Sequence, residues 1–219
     1  MMKLAVAVPA LALLTFLAPD LNAQATQELS FQMTARIEKL AKAPVFAPKA
    51  THRARCTNVY LYAAKGVDLS KWEGKYVKLV GSPKLALAVL LEVSKIESSP
   101  YYLKISQSSG GAFRLGENVT FQTRTPWLSV VPWILSGKPS FVPVQQYGAL
   151  TLDPLGLIYI QNDIALLGSV TKRVRIPNDK SLIGARIYQQ GMYLSVSLSL
   201  AVTGRLLNND CFQIQAAKK

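Results

Sequence analysis

The residue types that carry most enzyme chemistry are scarce in this chain. Its 219 residues include one histidine, His52, and two cysteines, Cys56 and Cys211, with 12 acidic side chains against 25 lysines and arginines. A zinc site needs three or four His, Cys or carboxylate ligands in close array, and the supply of His and Cys is too small to build one. A Ser-His-Asp triad would have to use His52, and no G-x-S-x-G elbow is present to offer a serine. Neither a G-x-x-x-x-G-K-S/T loop nor a G-x-G-x-x-G turn is there to cradle phosphates. A carboxylate pair is the remaining route to hydrolysis, as in glycosidases. The acids Asp153, Asp163, Asp179 and Asp210 each sit beside Pro, Asn or Lys, where turn formation accounts for them. His52 follows Pro44 and Pro48 in the linker stretch and reads as an exposed linker residue. This inventory describes a non-catalytic protein with no metal and no cofactor, with a carboxylate-pair hydrolase as the enzymatic alternative.

Binding chemistry is better supplied. Tyr60, Tyr62, Trp72 and Tyr76 interleave with Lys65, Lys71, Lys75 and Lys78, and Phe121, Trp127 and Trp133 flank Arg124. Rings beside cations suit sugars or single-stranded nucleic acid. Packing of strand aromatics into a core is the competing reading. Lys71, Trp72, Lys75 and Lys78 form the better candidate ligand surface. The formal charge of +13 and a pI near 9.8 favour anionic partners: acidic glycans, lipid headgroups or nucleic acid. A protein that is merely basic and well solvated fits the same numbers.

The elements that must position these residues begin after an export signal. Residues 1–25 read as a secretory signal peptide: Lys3, then an apolar run from Leu4 to Ala18, then Ala23-Gln24-Ala25 as a small-x-small cleavage site. The run is shorter than the ~20 residues of a membrane span. Residues 26–50 are expected to form a helical arm and linker, since Leu29, Met33, Ile37 and Leu40 recur at helical spacing and Pro44 and Pro48 follow. Residues 51–107 read as a small β unit. Within it VDLSKWEGKYVKLVG resembles an early hairpin of OB-fold-like barrels, with Gly81 bending a strand. From residue 108 to 219 short strands recur at steps of about ten residues, with turns at Gly137–Pro139, Asp153-Pro154, Asn162-Asp163 and Asn208–Asp210. That rhythm predicts an antiparallel β-sandwich or jelly-roll. The expected class is all-β.

Val170 to Ile176 alternates as a half-buried strand and runs into Pro177, Asn178 and Asp179, a turn. Ile176-Pro177-Asn178-Asp179, Leu182, Gly184, Tyr188 and Gln189 together resemble a pattern at the C-terminal ends of many secreted bacterial proteins. The resemblance covers about the last third of the chain and implies a secreted β-sandwich-like domain, with no activity attached. This chain is unusually basic there. Alternation places Arg173 and Arg175 together on the solvent face if Val174 faces the core, which adds both arginines to the candidate ligand residues.

An exported chain can hold a disulfide. A Cys56–Cys211 bond would tie the first strand region to the last strand and contribute roughly 4–5 kcal/mol. Two separate buried thiols are the alternative. The sequence thus predicts a secreted or periplasmic protein of the bacterial cell envelope that engages anionic glycans or lipid headgroups. An OB-type binder of single-stranded nucleic acid is the second reading.

Overall fold

The computed structural model describes residues 30–85, 89–107, 112–144, 147–197 and 201–217. The signal peptide expected over residues 1–25 lies outside them. Helical structure among the described residues is confined to short 3-10 turns such as Ser70–Trp72.

Five strands close into a barrel: β1 (Phe31–Lys39), β2 (His52–Ala54), β3 (Val59–Ala63), β4 (Tyr76–Leu85) and β5 (Val89–Ser98). Their order around the barrel is β1-β2-β3-β5-β4, and β4 returns to pair with β1. All pairs are antiparallel except β3 with β5. The expected helical arm is therefore strand β1. Phe31, Met33, Ala35 and Ile37 are all buried, which is a period of two and not of 3.6. Met33 and Ile37 fit either period because four is a multiple of two. Phe31 and Ala35 decide for the strand.

Val59, Leu61, Val77, Leu79, Leu91 and Val93 are fully buried in the barrel. Each such side chain contributes about 1.5–3 kcal/mol relative to exposure. Gly81 sits where pairing between β4 and β5 slips by one residue. A Cβ there would lie 2.2 Å from the carbonyl oxygen of Glu92, so only glycine lets the strand bend against its neighbour. His52 is not an exposed linker residue. It is 3% exposed within β2, with Nδ1 2.9 Å from Thr51 Oγ1 and Nε2 3.4 Å from Glu73 Oε1.

The rest of the chain supplies β6 (Tyr102–Gln107), β7 (Asn118–Arg124), β8 (Ser129–Ser136), β9 (Pro139–Val144), β10 (Gly148–Leu152), β11 (Leu157–Ala165), β12 (Ser169–Arg175), β13 (Arg186–Val196) and β14 (Val202–Gln213). Two antiparallel sheets, β11-β8-β13-β14 and β12-β7-β6, face each other across a core of Leu103, Phe121, Val131, Trp133, Leu207 and Phe212. This is a β-sandwich. Pro132 lies on β8, a central strand, opposite the stretch where pairing with β13 lapses between Gln190 and Leu194, which suits a residue with no N–H to donate.

The hairpin β9-β10 wedges between barrel and sandwich. Phe141 meets Phe31 edge-on at 5.2 Å, and Ala149 joins the barrel core. Tyr76 of β4 stacks on Tyr102 of β6 at 4.4 Å. The Cys56–Cys211 disulfide, with a Cα separation of 5.7 Å, adds a covalent tie between the two units.

Asn208, Asn209 and Asp210 were expected at a turn. They lie inside β14 and are buried, with Leu206 and Leu207 buried beside them. Each polar side chain serves a neighbouring backbone. Asn208 exchanges two bonds with Leu103, Asp210 accepts from Ile105 N at 2.9 Å, and Asn209 Nδ2 donates to Thr151 O at 3.2 Å. Gln190 does the same for β10: its Oε1 accepts from Thr151 N and its Nε2 donates to Ala149 O. Asn162 and Asp163, also expected at a turn, lie within β11, where Asp163 accepts from Trp133 Nε1 at 2.7 Å. The turn expected after Ile176 is present. Asp179 accepts from Ser181 N at 2.9 Å, and that bond holds its carboxyl below the ordinary 3.8.

Candidate functional site

The four candidate residues of the barrel do not form one ligand platform. Trp72 is half-buried and packs against the barrel core, with the Lys75 ammonium 5.4 Å from its ring. Lys71 pairs with Asp68 at 3.7 Å, and Lys78 pairs with Glu97 at 3.1 Å across the β4–β5 ladder. Two of the three lysines therefore spend their charge on carboxylates of the same unit.

The other pair stands differently. Val174 packs against the sandwich core, whereas Arg173 and Arg175 are exposed on β12. The register β12-β7-β6 extends that outer face. Its outward positions are Tyr102, Lys104 and Ser106 on β6, Asn118, Thr120, Gln122 and Arg124 on β7, and Ser169, Thr171, Arg173 and Arg175 on β12. Four cations share this face with hydroxyls and amides, and none of these positions carries a carboxylate. Arg175 Nε is oriented by a 3.0 Å bond to Gly116 O.

At the Arg124–Ser169 end of that face two loops meet. One joins β7 to β8 and carries Trp127 and Leu128; the other joins β11 to β12 and carries Leu166 and Leu167. Thr125 N donates to Gly168 O at 2.9 Å and holds the loops together. Gly168 has φ +78°, and a Cβ on it would sit 3.1 Å from Thr125 O, so the close approach relies on glycine. Thr125 and Ser129 hydroxyls both donate to Pro126 O, and Ser195 Oγ donates to Trp127 O. Polar groups of the loop are thus bonded inward, while its large side chains face outward. Trp127 is 61% exposed, Leu166 60% and Leu167 88%. Val130 and Ile164, cross-strand partners next to the tip, are exposed as well. These exposed large side chains make the tip a candidate interaction surface.

The aromatic–basic grouping of Arg124 with Trp127 was legible in the sequence, although Trp133 in the same group is fully buried. Leu128, Leu166 and Leu167 were not singled out. The signal for the last two was a pair of large aliphatics directly before Gly168, at a turn, where a strand was expected to continue. Among the described residues no group of three or more His, Cys, Asp or Glu could hold a metal ion. Compared with protein-family models, curated proteins and solved structures, the chain matches none.

Proposed function

We propose that this is an exported, non-catalytic binding protein of the bacterial cell envelope that docks on an anionic lipid surface. The observation that carries the reading is the apolar tip of Trp127, Leu128, Leu166 and Leu167 set at the edge of a four-cation, carboxylate-free sheet face. The tip enters the interfacial region and the cations meet the headgroups. Trp favours that interface because its ring is apolar and its N–H can stay wet. Each Lys or Arg near an anionic leaflet adds about 1 kcal/mol, and each buried methylene about 0.8 kcal/mol. No helix among the described residues is long and apolar enough to cross a membrane.

Export is supported by the Lys3 and Leu4–Ala18 pattern with its Ala23-Gln24-Ala25 site, and by the Cys56–Cys211 bond, which suits an oxidising compartment. The barrel is best read as OB-like, from its strand order and its single parallel pair. Among the described residues the sandwich has seven strands in its two facing sheets, which favours the sandwich over the eight-stranded jelly-roll. A nucleic-acid role for the barrel is weakened by the packing of Trp72 and the carboxylate partners of Lys71 and Lys78.

Cosedimentation of the purified protein with vesicles tests the reading. Binding is expected to phosphatidylglycerol vesicles and not to phosphatidylcholine alone, and a Trp127→Ser, Leu167→Ser double variant is expected to lose it. Salt weakens the cationic part and leaves the apolar part. Equal partitioning of wild type and double variant overturns the proposal. So does binding to acidic polysaccharide with none to lipid.

A further inference from the structure

We infer that the cleft between barrel and sandwich is a binding site for a small acidic saccharide, a sugar carrying a carboxylate or a phosphate. The cleft holds about 300 Å³. One wall is the row Glu38, Arg53 and Tyr60, which are successive partners across β1, β2 and β3. The other wall is Arg186 and Tyr188, neighbours on one face of β13, paired with Gln213 and Cys211 of β14. The Cys56–Cys211 disulfide also lines the cleft and fixes the two walls to each other.

Three guanidiniums line this space, from Arg53, Arg55 and Arg186, against the single lining carboxylate of Glu38. Glu38 is shared: it lies 2.9 Å from Arg53 and 3.4 Å from Arg55. Arg55 is held a second time by Asp210, whose side chain is only 4% exposed. Arg186 has no carboxylate partner among the described residues. Arg53 and Arg55 are thus oriented before any ligand arrives, which lowers the cost of binding, and Arg186 adds a cation with no carboxylate to share among the described residues.

Guanidinium forks recognise carboxylates and phosphates through paired N–H donors. Tyr60 and Tyr188 add ring faces and hydroxyls for the rest of the ligand, and Tyr60 is braced by Phe46 at 5.3 Å. The volume is at the low end of ligand sites, which run from about 300 to 1,000 Å³. That size suits one or two sugar rings and excludes a wrapped polymer. Tyr188 and Ser195 mark opposite ends of β13, roughly 23 Å apart at about 3.3 Å per residue. The cleft therefore lies away from the apolar tip and depends on no part of the lipid reading.

Amide shifts of the whole protein titrated with glucuronate, a hexose phosphate, glucose and inorganic phosphate test the inference. An acidic sugar is expected to move the amides of Cys56, Tyr60 and Tyr188, and glucose is not. Arg53→Gln and Arg186→Gln, both at exposed positions, are each expected to weaken binding at least about tenfold with the melting temperature unchanged. Three results overturn it: no response to either acidic sugar at millimolar concentration, undiminished binding by Arg186→Gln, or inorganic phosphate binding as tightly as the sugars, which means an adventitious ion only. Vesicle binding is read separately, since Arg186→Gln leaves the tip intact.

Discussion

The side chain of Asn208 stands toward Leu103 as a neighbouring strand would. Its Oδ1 accepts from Leu103 N at 2.8 Å, and its Nδ2 donates to Leu103 O at 2.8 Å. An amide side chain thereby closes the edge of β6 across the sandwich core. Buried backbone groups left unpaired cost about 1–3 kcal/mol each. Asn208→Leu, similar in size, is expected to lower stability by about 2–6 kcal/mol in urea denaturation. Asn208→Asp keeps the acceptor and is expected to fall between. A loss under about 1 kcal/mol for the leucine variant would show that β6 needs no such partner.

Removing the Cys56–Cys211 bond tests how firmly the two units are joined. The bond closes a separation of 155 residues. Loop entropy for that length corresponds to about 5 kcal/mol. The Cys56→Ser, Cys211→Ser double variant is expected to lose most of that in chemical denaturation, with the apolar tip still able to bind vesicles. A variant as stable as the parent would place the restraint elsewhere, in the β9-β10 wedge.

Acid sensitivity is expected at the barrel. Hydrogen bonds and charge from Lys78, then Lys95, hold the Glu97 carboxyl below its ordinary 4.5. A carboxyl depressed in the folded state stabilises fully above its unfolded pKa, and the benefit is lost as pH falls through the lower folded value. The loss therefore falls below pH 4.5. Because the Glu97 side chain is part-exposed, the effect is small. Lys78→Met is expected to move the Glu97 titration, followed by carboxyl NMR, back toward the ordinary value. An unmoved titration would mean that Lys95 alone sets it.

Where one face of a strand met the core and the other met water, the pattern was readable. Val170, Val174 and the arginines between and after them are such a case. Legibility failed where that simple alternation failed. In β14 the residues from Leu206 to Asp210 are all buried because neighbours cover both faces, and a buried Asn-Asn-Asp run has the residue types of a turn. In β1 the apolar spacing of four suits a helix and a strand alike, and the prolines that follow suit a helix end as well. The site was legible in part. Arg173 and Arg175 were placed on solvent by alternation, but their companions Lys104 and Arg124 come from strands about fifty to seventy residues earlier in the chain, which only pairing brings alongside. The cleft is further from view, because its walls are drawn from β1, β2, β3 and β13.

Trp127 gives the most direct measurement of the central claim. Of the three tryptophans, Trp133 is fully buried and Trp72 packs against the barrel, so Trp127 is the one set to meet a bilayer. Its emission is expected to shift to the blue and to be quenched on vesicles of bromine-labelled phosphatidylglycerol, and Trp127→Phe is expected to abolish both signals. Emission that neither shifts nor quenches at lipid concentrations where the protein sediments with the vesicles would contradict docking through this tip.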